Sequence, residues 1–168
     1  AGGGAENMRR LLGRIEGYLE AQRDTSDVAP APLPPLFALG SDAAPLTWRA
    51  ALAALPAETP LVPVLVYRSG VTAGDTAMVE AIAAALAARG LSPLPLALTS
   101  LKDTTVAAGL TALIAARKPA LIITSTAFSA RESEGFVLDA ADCPILQAVP
   151  VGSAREAEVG DVARAEVD

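Results

Sequence analysis

Four short segments hold most of the side chains that could do chemistry. They are Tyr67-Arg68-Ser69-Gly70 with Ala73-Gly74-Asp75, Thr99-Ser100-Leu101-Lys102-Asp103, Thr124-Ser125-Thr126-Ala127-Phe128-Ser129, and the lone amide Gln147. Each follows an apolar run, so each is expected at the end of a strand. Together they offer hydroxyls, an amide and charges of both signs. Such a rim suits anions and amide groups, above all where its loops lead into helix N-termini. The plainer alternative is that these loops are polar because loops meet water.

What is missing narrows the chemistry. The chain has no histidine, which removes imidazole ligation and the commonest general base near neutral pH. Its single cysteine, Cys143, excludes an internal disulfide and fits a reducing compartment. Placed between Asp142 and Pro144 before an apolar run, it reads as a structural thiol. Asp139 and Asp142, three residues apart, could hold a hard cation weakly but suit a turn better. There is no phosphate-binding G-x-x-x-x-G-K-[ST] loop and no G-x-S-x-G elbow. The opening glycines follow no strand, so they are no dinucleotide fingerprint, and without histidine a Ser-His-Asp triad is impossible.

The elements that must position these segments follow from pattern. Met8, Leu11, Leu12, Ile15 and Leu19 recur at helical spacing and predict an amphipathic helix over 6–23. Pro30, Pro32, Pro34 and Pro35 predict an extended linker, and Trp48–Leu55 a short helix capped by Thr47 and ended by Pro56. From Pro60 the character changes. Leu61–Tyr67 is a continuous apolar run, as in a strand covered on both faces. Arg68–Gly74 reads as a loop, then a helix runs from Asp75 or Thr76 to Arg89 and stops at Gly90. Further strands are expected at 94–99, 120–124 and 145–149, with a helix at 104–117 and a long loop at 125–142. Strands alternating with helices predict an α/β domain with a parallel sheet of about four strands in a flavodoxin- or Rossmann-like three-layer arrangement. The boundaries are an N-terminal helical segment at 1–23, a proline-rich linker with a short helix at 24–59, the parallel α/β domain at 60–152, and a charged tail at 153–168.

Bulk properties exclude whole classes of partner. A net charge of −6 offers no row of cations to neutralise phosphates, so no nucleic acid is expected. Apolar residues reach 52% and the mean hydropathy is +0.40, yet charges interrupt every run before the roughly 18–20 residues of a membrane span. Either the sequence is simply alanine-rich, or the domain belongs to a larger protein whose neighbours cover its apolar faces. The start, Ala1-Gly2-Gly3-Gly4-Ala5-Glu6, lacks the basic and apolar regions of a secretory signal and points to an excised or processed piece. A cytoplasmic location is expected.

At the rim segments the sequence resembles a known family. Val66-Tyr67-Arg68-Ser69, Ala73-Gly74-Asp75-Thr76, Ala85-Leu86-Ala87-Ala88-Arg89-Gly90-Leu91, Ser100-Leu101-Lys102-Asp103 and Thr126-Ala127-Phe128-Ser129 resemble, in order and spacing, successive signatures of the cobaltochelatase large-subunit (CobN-type) family. Leu138-Asp139 and Cys143-Pro144-Ile145-Leu146-Gln147 resemble its next strand, and the magnesium-chelatase large subunit is a more distant likeness. Upstream, Gly3-Gly4-Ala5-Glu6-Asn7 with Arg10-Leu11-Leu12 is similar to the family's lead-in to a proline-rich connection. The likeness runs from about Gly3 to Gly152. Beyond it, the family's Trp-containing, glycine-rich segment and its histidine-bearing regions have no counterpart here. The tail is therefore expected to be truncated or joined across a gap.

The resemblance implies a ligase that inserts cobalt(II), its substrate, into the corrinoid hydrogenobyrinic acid a,c-diamide during aerobic cobalamin biosynthesis. It implies an AAA+ ATPase and a second chelatase subunit as partners, besides the rest of the large subunit. ATP and Mg would sit on those partners, and no cofactor is expected within this piece. Inserting a metal calls for a base and metal ligands, and for cations facing the ring's peripheral carboxylates. Under this resemblance Arg68 and Lys102 are the candidates for carboxylate contacts. Asp75, Ser100, Thr126 and Gln147 would hold the loops or bond amide arms, Phe128 would lie against the ring, and Tyr67 is expected among the substrate-binding residues. The catalytic residues are unassigned and no metal ligand is expected. Two alternatives stay open: a non-catalytic scaffold, whose exposed apolar area should lie on helices such as 76–89, and an unrelated flavodoxin-like ligand-binding module.

Overall fold

The computed structural model describes residues 5–19, 32–40, 45–126 and 136–149. The apolar run Leu61–Tyr67 forms β3, and its side chains alternate between two cores. Leu61 and Leu65 face one side of the sheet, Val64 and Val66 the other. Helix α3 (Arg68–Ala73) follows directly, then α4 (Ala77–Ala87) leads to β4 (Ser92–Leu98). Helix α5 (Thr104–Ala116) connects to β5 (Ile122–Thr124), and a 3-10 turn at Val137–Ala141 precedes β6 (Ile145–Gln147). Strands β4, β3, β5 and β6 lie side by side and all run parallel. The expected α/β domain with four parallel strands is present.

The stretch read as a linker contributes more than a linker. It supplies β1 (Leu36–Leu39), β2 (Pro45–Leu46) and α2 (Trp48–Ala53). Strand β1 pairs antiparallel with β4, and β2 antiparallel with β1, giving a six-stranded sheet in the order β2-β1-β4-β3-β5-β6. Prolines hid these strands, because they cluster just before β1 and at the start of β2 rather than inside the ladder. The cap of α2 is as expected, with the Thr47 hydroxyl accepting the Ala50 N–H at 3.2 Å.

Other departures have local causes. Arg68–Gly74, expected as a loop, is a short helix because Gly74 takes φ +86° and closes it in the left-handed conformation. Helix α4 ends near Gly90 (φ +73°), where the Leu91 N–H turns back to the Leu86 carbonyl. Strand β4 begins at Ser92, two residues earlier than expected, and runs through Pro93 and Pro95. The Ser92 N–H points to β3 and the Thr99 N–H to the β1 side, so odd positions face β1. Both prolines therefore place their missing donors on that side, ahead of Leu96, the first β4 residue that β1 reaches.

The core is lopsided. On one face, α2, α5 and the 3-10 turn cover Leu61, Leu65, Leu94, Leu96, Leu98, Leu110, Leu113, Ile122 and Leu138. On the other, α3 and α4 cover a smaller group around Phe37, Val64, Val66, Val79 and Ala97. Each fully buried leucine stabilises by roughly 1.5–3 kcal/mol relative to exposure, so the α5 face dominates the fold's stability. Helix α1 (Ala5–Leu19) carries an exposed apolar stripe: Met8, Leu11, Leu12 and Ile15 are 47–57% exposed. Its polar side carries Glu6, paired with Arg9 and, at 3.0 Å, with Arg10. No helix among the described residues is long and apolar enough to cross a membrane.

Candidate functional site

Parallel strands end together, so the topology brings the rim segments to one end of the sheet. Tyr67 closes β3 and pairs with Leu98 of β4, which puts Thr99–Asp103 beside Tyr67 and Arg68. On the other side of β3, Thr124 closes β5 and pairs with Gln147 of β6. Across four strand ends at the usual spacing, the rim is about 14 Å wide. All the expected site residues but one lie along it. Phe128 falls outside the described residues.

The lead-in crosses this rim. Strand β1 runs antiparallel, so its beginning lies at the same end, with the Thr99 N–H donating to the Pro35 carbonyl at 2.9 Å. Half-buried Arg68 donates through Nη1 to the carbonyls of Leu33 at 3.0 Å and Pro34 at 3.3 Å. The guanidinium thus clamps the proline-rich approach, a use that the sequence did not suggest.

The α5 N-terminus is occupied as well. The Asp103 carboxylate accepts from the Thr105 and Val106 N–H groups at 2.9 and 3.4 Å and from the Thr99 hydroxyl at 2.9 Å. The Thr99 hydroxyl above all, then these backbone donors, hold its carboxyl below the ordinary value, with burial opposing. This helix start, expected to favour an external anion, is filled by its own side chain. Ser100 steadies the same turn by accepting the Lys102 N–H at 3.1 Å, and leaves Lys102 exposed. Asp75 and Tyr67 are exposed too; the Asp75 N–H donates to the Gly70 carbonyl at 3.0 Å.

The β5–β6 side differs. Thr124 and Thr126 are buried and share a hydroxyl hydrogen bond of 2.8 Å, and the Thr126 N–H donates to Thr124 Oγ1 at 3.1 Å. Beside them the Oε1 atom of Gln147 is buried and meets no donor among the described residues. A buried acceptor left unpaired costs about 1–3 kcal/mol, so this corner calls for a donor. Gln147 was legible as a rim residue; its missing partner was not, because that depends on every neighbour's geometry.

Two groups near this corner are structural. Asp142, in the left-handed region at φ +44°, pairs with Lys118 Nζ at 2.8 Å. The Lys118 hydrogen bond and charge pull its carboxyl down. Cys143 packs half-buried against the α5 core, where burial pushes its thiol up and away from the reactive thiolate. Among the described residues no three carboxylate or thiol groups come together.

Known proteins bear on this arrangement directly. The model of the family described as CobN/Magnesium Chelatase matches residues 1–158. The "Aerobic cobaltochelatase subunit CobN" of a Sinorhizobium species is 33% identical over 102 residues, 58% of this chain and 8% of that protein. The Pseudomonas aeruginosa protein of the same name is 37% identical over 92 residues, 54% of this chain and 7% of that one. Among solved structures, the catalytic subunit of cobaltochelatase from Mycobacterium tuberculosis shares the fold, with a TM-score of 0.60 at 23% identity. That likeness covers 89% of this chain and 12% of the subunit. The chain thus spans less than a tenth of the curated relatives it matches. A family model that takes in both the helical lead-in and the whole sheet leaves no room for an unrelated flavodoxin-like module: the chain belongs to the CobN/magnesium chelatase family.

Proposed function

We propose that this chain is part of the large subunit of a cytoplasmic, ATP-dependent cobaltochelatase that inserts cobalt(II) into hydrogenobyrinic acid a,c-diamide. The observation that carries this is the family match over residues 1–158, joined by two relatives named as aerobic cobaltochelatase subunits. In this reading, ATP is hydrolysed on an AAA+ partner, a second chelatase subunit completes the machine, and the metal ligands and base lie elsewhere in the large subunit.

Within that machine the rim cradles one edge of the corrinoid. The Gln147 Oε1 atom, which meets no donor among the described residues, supports this role, because an amide arm of the diamide carries an N–H donor. Exposed Lys102 is placed for a peripheral carboxylate, while Arg68 positions the lead-in along the rim. The test is corrinoid titration of the full-length subunit carrying Gln147→Leu or Lys102→Glu. Each should weaken binding about tenfold, the usual cost of one polar contact to a charged or buried partner. Unchanged affinity in both would remove the rim from the substrate site.

A second reading, scaffolding, is favoured by the bare apolar stripe of α1 and by exposed Leu146 and Val149. Among the described residues α4, where a scaffold was expected to show them, carries no large exposed apolar side chain. Under scaffolding, the same variants would bind corrinoid normally, and changes on α1 would weaken assembly with the ATPase subunit.

A further inference from the structure

The sheet's two open edges differ in their prolines. At one end β2 is only two residues long and begins with Pro45, and the uncovered start of β4 carries Pro93 and Pro95 with their missing donors turned outward. Short edges and prolines are how sheets avoid unwanted pairing. The opposite edge, β6, is short as well, but no proline lies within it. The Ile122 N–H donates to the Pro144 carbonyl and the Ala148 N–H to the Thr124 carbonyl, so even-numbered residues of β6 face β5. The backbone N–H and C=O groups of Ile145 and Gln147 therefore face outward, and no described residue pairs with them. The stretch Ile145-Leu146-Gln147-Ala148-Val149 carries no charge, and Ile145, Leu146 and Val149 are 37%, 54% and 72% exposed.

We infer that β6 is an acceptor edge, completed by a seventh strand from another part of the same large-subunit polypeptide. This rests on the proposed large-subunit reading, in which over nine-tenths of the protein lies outside this chain, since the chain covers 7–8% of its curated relatives. The edge also fits an intramolecular guest better than a second copy. Two three-residue strands meeting across a dimer axis would fall well short of the roughly 1,200 Å² that specific stable interfaces bury. A tethered strand needs less, because its effective concentration is already high. The guest is an extended, uncharged segment with small or β-branched residues, added by main-chain hydrogen bonds to Ile145 and Gln147.

Amide hydrogen exchange on the full-length subunit tests this without any variant. The Ile145 and Gln147 amides should exchange at least about 100-fold slower than free amides of the same sequence, at every protein concentration. Exchange at free-amide rates would overturn the inference. So would protection that appears only as the subunit dimerises, which would assign the edge to a second copy. The mass of the intact source polypeptide decides the large-subunit reading separately.

Discussion

The parallel block and the flank laid against it are held by different physics. Strands β3, β4 and β5 with α5 form a block of fully buried leucines, in which Leu65 and Leu96 are 0% exposed. The flank of β1, β2 and α2 joins that block through a short ladder and a few specific contacts. Leu36 sits over Gly109 of α5, Trp48 packs at its side, and Arg68 clamps the carbonyls of Leu33 and Pro34. The block needs volume, and the flank needs particular neighbours. It follows that the flank should open before the block does.

The most damaging way to break this contrast is inside the block. Leu65→Ala should cost about 3 kcal/mol through lost burial and a cavity, and should lower the stability of flank and block together. Thermal or urea unfolding followed by two probes would show one shifted transition. Next comes Gly109→Val. A Cβ there would stand 2.6 Å from the Leu36 Cδ2 atom, so Leu36 must shift, and the branched valine crowds it further. The expected cost is about 2 kcal/mol, read as faster exchange of the β1 amides while β3 and β5 stay slow. A milder change, Arg68→Ala, should cost about 1 kcal/mol and speed exchange at Thr99, whose N–H bonds the lead-in. If β3 loosened equally, flank and block would be one unit.

The smallest effect is acidic. Asp103 holds a folded pKa below its ordinary 3.8, mainly because the Thr99 hydroxyl donates to its carboxylate. A lowered folded value means that the stabilisation is complete above the unfolded value and is lost as pH falls through the folded one. The melting temperature should therefore fall as pH drops below the ordinary carboxylate value of 3.8, and Asp103→Asn should flatten that slope. Asp142, lowered by Lys118, contributes with the same sign.

Sequence made the block legible and the flank obscure for one reason. Leu61–Tyr67 and Thr104–Ala116 carry patterns whose burial needs no knowledge of neighbours, so β3 and α5 could be read with nearly their true bounds. Leu36–Leu39 is four residues between prolines and glycine, and only pairing with Leu96–Leu98 makes it a strand. The rim was legible as a place, since parallel strands must end together. The employment of its side chains was less so: Asp103 capping α5 is a local signal, an Asp just before the helix start, whereas Arg68 serving the lead-in follows from a long-range contact that local pattern does not encode.

The alternation in β4 also sets an arithmetic for change. Pro93 and Pro95 are tolerated because both occupy odd positions, while Leu94, Leu96 and Leu98 fill the α5 core from even ones. A one-residue slip of β4 against its neighbours would reverse both assignments at once: the missing donors would turn into the β3 ladder, and the leucines would swap faces. A residue added in the turn at Gly90 can be absorbed there, whereas one added within Ser92–Leu98 sends every later position to the other face.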